Sequence, residues 1–183
     1  AVNGFIPKGL PSFNEMKGYT YQPDKAKALV KSYMEETGDM SPSITISTNS
    51  QYLDLCEYIQ REVQKTGLQV NIDVMPPSTL RQTKVNGQLS IFRGSWVADY
   101  PDAENYLFIF HSKNFSPNGP NYTHYSSKEF DDLYERSIQI TDNVKRRALY
   151  QKMDSLVMAS AAVIPLYYDE VVRFTQKNVS GLG

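Results

Sequence analysis

The order of strand-like and helix-like patterns predicts an α/β fold, and three stretches carry that prediction. Ser43-Ile44-Thr45-Ile46-Ser47 alternates and is β-branched, as a half-buried strand does. Leu68, Val70, Ile72 and Val74 alternate in a second run, closed by Pro76-Pro77. Between them, Gln51 to Thr66 places Tyr52, Leu55, Cys56, Ile59 and Val63 on one helical face and stops at Gly67. A helix on the connection between two strands favours a parallel pair.

The remaining elements follow in chain order. Residues 1–22 are punctuated by Pro7, Gly9, Pro11 and Gly18 and read as an extended, loop-like opening segment. Pro23 and Asp24 suit a first helical turn, Ala26, Leu29, Val30 and Tyr33 recur at helical spacing, and Gly38 is a natural stop. A short helix is expected over 78–85 and a third strand from Leu89 to Trp96. Residues 97–126 are irregular and rich in Asp, Asn, Pro, Gly and Tyr, with a short helix admissible from Glu104 to Phe110. A loop of that length in a compact domain is usually functional or hides short helices. Ser126 with Glu129 resembles a capping box opening a helix through Ile138, and Asp142 caps a helix whose Leu149, Met153, Leu156, Val157 and Ser160 share a face. Val163–Tyr168 and Val171–Thr175 read as short strands. The expected architecture is a mixed sheet of strands near 43–48, 68–74 and 89–96, with the helices at 51–66 and 143–160 packed on it. Leu55, Ile59, Val63, Met153, Leu156, Val157 and an unpaired Cys56 should be buried. No repeat or linker divides the chain, so residues 1–183 are expected to form a single lobe.

Composition narrows the function. The 183 residues carry 19 Lys plus Arg against 20 Asp plus Glu and no basic block, which argues against a nucleic-acid partner. No apolar run approaches the roughly 20 residues that cross a bilayer. One cysteine excludes an internal disulfide and a Cys-based zinc site. The first residues lack a charged segment followed by an apolar one, and there is no initiating Met, so the chain is expected to start after processing or to be cut from something longer. Thirteen tyrosines raise the aromatic content to 12%, and tyrosine supplies flat contact area with a polar tip on recognition surfaces.

The densest polar-aromatic stretch runs from Arg93 to Tyr106, where the third strand enters a loop. Ligands of open α/β sheets sit near the carboxyl ends of strands. Trp96 offers an apolar platform, Asp99 a charge for an ammonium group, and Arg93 a charge for a carboxylate. The structural alternative makes Trp96 a core residue and the aspartates caps of turns and of a helix. A metal-hydrolase reading gathers Asp99, Asp102, Glu104 and His111, since hard cations take carboxylates, but His111 has no histidine partner at helical spacing. No nucleophile elbow, dinucleotide fingerprint or phosphate loop occurs.

Gly94-Ser95-Trp96-Val97-Ala98-Asp99-Tyr100-Pro101-Asp102 resembles the signature stretch of the bacterial extracellular solute-binding proteins of family 5, the oligopeptide- and dipeptide-binding components of ABC importers. Tyr21-Gln22-Pro23-Asp24-Lys25-Ala26-Lys27-Ala28-Leu29 is similar to the family's Y-x-P-[DE]-x-A-K-x-L segment. Tyr125 to Leu133, with Phe130-Asp131, resembles its Y-x-x-x-x-[FY]-D-x-L element, and Arg146-Arg147 through Tyr150 and Met153 its R-x-x-L-Y helix. Ile164-Pro165-Leu166-Tyr167-Tyr168 and Val179-Ser180-Gly181-Leu182 resemble its closing elements. The motifs stand in the family's order along nearly the whole chain.

The resemblance implies the C-terminal lobe of a type II (cluster C) periplasmic binding protein, the other lobe being absent from this chain. It implies a peptide ligand held by Asp99 at the α-ammonium, Trp96 at a side-chain pocket and Arg93 at the carboxylate, with Tyr100 of the A-D-Y element completing the ligand-binding set. Asp102 looks like a turn and helix cap. It further implies permease subunits as partners, a monomer, no cofactor, no catalysis, and an extracytoplasmic location, periplasmic or lipid-anchored. The same family includes binders of oligosaccharides and of nickel complexes. Outside it stand the metal hydrolase and a non-transport interaction module.

Overall fold

The computed structural model describes residues 1–16, 18–170, 172, 174–179 and 181. Helix α1 (Pro23–Thr37) starts on proline and ends at Gly38, whose φ of 73° lets its N–H reach Met34 O without a Cβ penalty. Strand β1 (Ser43–Thr48) follows, then a single 3-10 turn at Ser50–Tyr52, helix α2 (Leu53–Gln64), strand β2 (Gln69–Val74), helix α3 (Pro77–Val85) and strand β3 (Ile91–Phe92). The strands lie in the order β2-β1-β3 and both pairs are parallel, with Ile44 opposite Val70, Ile46 opposite Ile72, and Ile46 opposite Ile91 on the other side.

Period-two alternation sends Ile44, Ile46, Val70 and Ile72 to one face, where Cys56, Ile59 and Val63 of α2 close on them. Cys56 is buried, whereas Leu55, Ile59 and Val63 are half-buried, because a single helix over three short strands covers only the middle of the sheet. The opposite face is polar. Thr45, Ser47 and Asp73 line a groove of about 460 Å³ that Thr83 of α3 borders. The chain therefore leaves β1 over one face and reaches β3 over the other, so the carboxyl ends of β1 and β3 form the topological switch point of the sheet.

The second half builds its own core. Helices α4 (Glu104–Leu107), α5 (Lys128–Ser137) and α6 (Asn143–Ser160) join Leu107, Phe110, Phe130, Leu133, Tyr150, Met153 and Val157 in one buried cluster, with Ile6 of the opening segment inserted. This corrects the expectation that the 143–160 helix packs on the sheet: its Tyr150, Met153 and Val157 face α4 and α5. Leu156, expected to be buried, is half-buried at the edge of that cluster. The 97–126 segment is thus an anchor as much as a loop, since Leu107 and Phe110 are fully buried.

Other expectations shift. The third strand shrinks to two residues, because after Phe92 its partner β1 turns away at Asn49; Arg93 N–H to Ser47 O, 3.0 Å, is the last bond across. The cap of α5 is Ser127, not Ser126; its Oγ accepts from Phe130 N–H at 3.3 Å. Asp142 caps α6 as expected, accepting from Val144 and Lys145 N–H. Residues 163–168 form no strand; the amino terminus bonds to Leu166 O and the Tyr168 hydroxyl to Gly4 O in place of a ladder. The sheet is wholly parallel rather than mixed among the described residues, since both pairings of β1 are parallel. Val171 and Arg173 of the second short strand, and Ser180 and Leu182 of the closing element, lie outside the described residues.

Candidate functional site

The site residues gather at the switch point. Arg93 leaves β3 and lays its guanidinium 3.2 Å over the ring of Tyr52, the first residue before α2, while Nη2 donates to the Tyr167 hydroxyl at 3.3 Å. Among the described residues Arg93 enters no ion pair. Lys84, in the last turn of α3, stands 4.4 Å over the ring of Tyr122 and 5.7 Å from that of Phe92, also without a carboxylate partner among the described residues. Burial lowers its pKa below the usual lysine range, and the positive charges of Arg81 and Arg93 lower it further. A half-buried cluster of like charges with aromatic walls is a place for an anion.

From Gly94 to Ala98 the chain lies outside any helix, strand or turn, and its backbone groups enter no backbone hydrogen bond among the described residues. Main-chain groups left free in this way can pair with an extended chain. Half-buried Trp96 stands in its middle, ring edge-on to Phe108 at 5.4 Å. Asp99, at its end, is exposed and in no ion pair among the described residues. The arrangement brings Arg93, Trp96 and Asp99 onto one run, with positive charge at one end and negative at the other.

Two groups that sequence reasoning did not single out shape the site. Lys84 is one: on a helix read only as short, nothing placed it beside β3. Asn105 is the other: its Oδ1 accepts both the Trp96 indole N–H at 3.1 Å and the Asp99 backbone N–H at 3.3 Å. The only available signal was an amide at the start of a short helix, which ordinarily reads as a cap.

Tyr100 is half-exposed, and its hydroxyl donates to Glu104, whose other oxygen accepts from Tyr134. The Glu104 bond, with some burial, raises the Tyr100 pKa, and a hydrogen bond from Asn105 opposes it. Burial and then Glu104 raise that of Tyr134. Asp102 accepts from Glu104 N–H at 2.9 Å and pairs with Arg146 at 3.2 Å, the cap and brace its position implied.

The metal constellation does not assemble. Asp102 and Glu104 are engaged as above, and His111 points elsewhere, its Nε2 3.9 Å from Asp131 and 3.8 Å from Glu135. His111 Nδ1 accepts the Lys113 N–H at 3.1 Å, so Nε2 of the neutral ring carries the proton and has no lone pair for a cation. Among the described residues no group of three His, Cys, Asp or Glu is arranged to hold a metal ion, and no helix is long and apolar enough to cross a membrane.

The family described as bacterial extracellular solute-binding proteins, family 5 Middle, matches residues 1–118. Over 115 residues, 63% of the chain, it is 31% identical to the probable deoxycholate-binding periplasmic protein YgiS of Escherichia coli, covering 21% of that protein. The dipeptide-binding protein DppE of Bacillus subtilis is 25% identical over 98% of the chain, which covers 33% of DppE. The periplasmic binding protein DppA of Helicobacter pylori, solved in complex with the peptide STSA, superposes with a TM-score of 0.80 over 90% of this chain and 32% of its own, at 26% identity. The chain spans a fifth to a third of the length of these relatives.

Proposed function

The chain belongs to the bacterial extracellular solute-binding proteins of family 5, and on that premise we propose that it is the C-terminal lobe of the substrate-binding component of an ABC importer whose cargo is a peptide. One observation carries the choice of cargo: Arg93 and Asp99, oppositely charged and unpaired among the described residues, flank a backbone run whose hydrogen-bonding groups have no backbone partner among those residues. A peptide with free termini answers all three features, its main chain by strand addition and its ends by charge. Lys84 adds a second cation near the carboxylate end. A bile acid has a carboxylate and no ammonium group and would leave Asp99 unanswered; a neutral sugar would answer neither charge.

The work of such a protein is capture and delivery, with no bond made or broken. A second lobe closes over the ligand by a hinge motion, and the closed form is presented to permease subunits in the membrane. The protein acts as a monomer outside the cytoplasm, periplasmic or held at the membrane by a lipid anchor.

Calorimetry on the two-lobed protein tests the cargo. Asp99→Asn should weaken a free tripeptide by about 2–5 kcal/mol, the range for breaking a buried charged pair, and hardly affect its N-acetylated form. Trp96→Ala should weaken both alike, because it removes contact area and not charge. Equal effects of Asp99→Asn on both peptides would make Asp99 a structural cap and turn the reading toward a sugar or a metal chelate.

A further inference from the structure

We propose that Asn105 is a positioning residue that locks Trp96 and Asp99 into one rigid unit of the binding site. The consequence for ligand capture rests on the peptide reading above; the lock itself does not.

The chemistry of the contacts is specific. Two N–H donors, the indole of Trp96 and the backbone of Asp99, converge on one side-chain atom of Asn105. Only an oxygen accepts from both, so the orientation of the amide follows from its partners. Asn105 is 2% exposed. A buried amide is costly unless its polar atoms are bonded, and an apolar side chain would fill the same volume without that cost. Both of these bonds go to the two residues expected to meet the ligand.

The effect on each differs. The indole bond, with the edge contact to Phe108, fixes the plane of the Trp96 ring. The bond to Asp99 N–H fixes the backbone where the chain bends after Ala98, with the Asp99 side chain exposed to solvent. Asn105 itself sits in α4 beside Leu107, which is fully buried. Platform and anion are thereby referenced to the helical core rather than to a loop. Fixing them before the ligand arrives reduces the ordering cost of binding.

The chain has one tryptophan, so tryptophan spectroscopy reports on Trp96 and its immediate surroundings. In the unaltered chain the indole N–H should exchange with deuterium much more slowly than that of free tryptophan. Asn105→Leu should shift the emission to the red and steepen quenching by acrylamide, with the far-ultraviolet circular dichroism kept. Asn105→Asp, which retains an acceptor oxygen, should restore both. In the two-lobed protein, Asn105→Leu should weaken free and N-acetylated tripeptide, each by about tenfold or more, and reduce the ratio between them; Asn105→Asp should restore much of the affinity. Free exchange of the indole N–H in the unaltered chain would overturn the proposal. So would unchanged emission in Asn105→Leu, or losses in both variants that merely follow their melting temperatures. If the unaltered two-lobed protein binds no peptide, the peptide reading fails while exchange and emission still decide the lock.

Discussion

Asp154 Oδ1 on α6 accepts the backbone N–H of Phe5 at 2.7 Å, across 149 positions of sequence. The carboxylate is 0% exposed, and its Oδ2 has no hydrogen-bond partner among the described residues. Burial pushes its pKa up to about 6, although the backbone N–H groups of Phe5 and Ile6 pull it down. No cation stands among these influences.

The pH dependence follows from that direction. The folded chain holds the proton on Asp154 more tightly than the unfolded chain, so this group costs nothing below about pH 4. The cost grows from about pH 4 to pH 6 and is constant above, reaching about 3 kcal/mol. Urea titrations of the wild type and Asp154→Asn at several pH values should show the variant gaining relative to the wild type as the pH rises through that window. Parallel profiles would show that Asp154 is not buried as a carboxylate.

Gly4 is a second consequence of the same contact. A Cβ there would collide with the Asp154 carboxylate. Gly4→Ala should lower the melting temperature by an overpacking cost of about 1–3 kcal/mol, and Asp154→Ala in the same chain should recover part of it. A melting temperature equal to wild type would show that the opening segment is not seated on α6.

The helical core should tolerate truncation least where it is closed. Phe130→Ala, at a fully buried position between α5 and α6, should cost about 3–5 kcal/mol in chemical denaturation. Leu156→Ala, half-buried, should cost under about 2 kcal/mol, less than a buried leucine would. Equal losses would mean that Leu156 is as enclosed as Phe130.

Lys84 should act on the carboxylate end of a peptide. In the two-lobed protein Lys84→Met should weaken a free tripeptide by about 1–3 kcal/mol and leave its C-terminal amide nearly unaffected. Equal losses for the tripeptide and its amide would assign Lys84 to packing between Phe92 and Tyr122.

Half a site should bind poorly. A peptide between two lobes draws contacts from both, so millimolar tripeptide should give this chain alone little or no thermal shift and the two-lobed protein a clear one. A micromolar dissociation constant for the chain alone would remove the site from an inter-lobe cleft.

Much of this was legible in the residues themselves. Helix α1 from Pro23 to its stop at Gly38, β1, α2, β2 and the Asp142 cap all depend on spacing of 2 to 4 positions, and such spacing is written in the chain. Arg93, Trp96 and Asp99 stood out because charge and aromatics were concentrated where a strand runs out. What only the tertiary structure decided involves partners far apart in sequence or geometry with no local signature. The apolar and aromatic run of residues 163–168 reads as a strand, yet no sheet edge receives it among the described residues. The apolar face of α6 was visible, but not that it would meet Phe110 and Phe130 instead of the sheet. Asn105 lies 9 positions from Trp96, and nothing in that interval says that one amide oxygen will gather an indole and a backbone N–H. Local rules fix which elements form, because they need only neighbouring residues. Which side chains meet depends on the balance of burial and hydrogen bonding over the whole chain, and that balance exists only once it has folded.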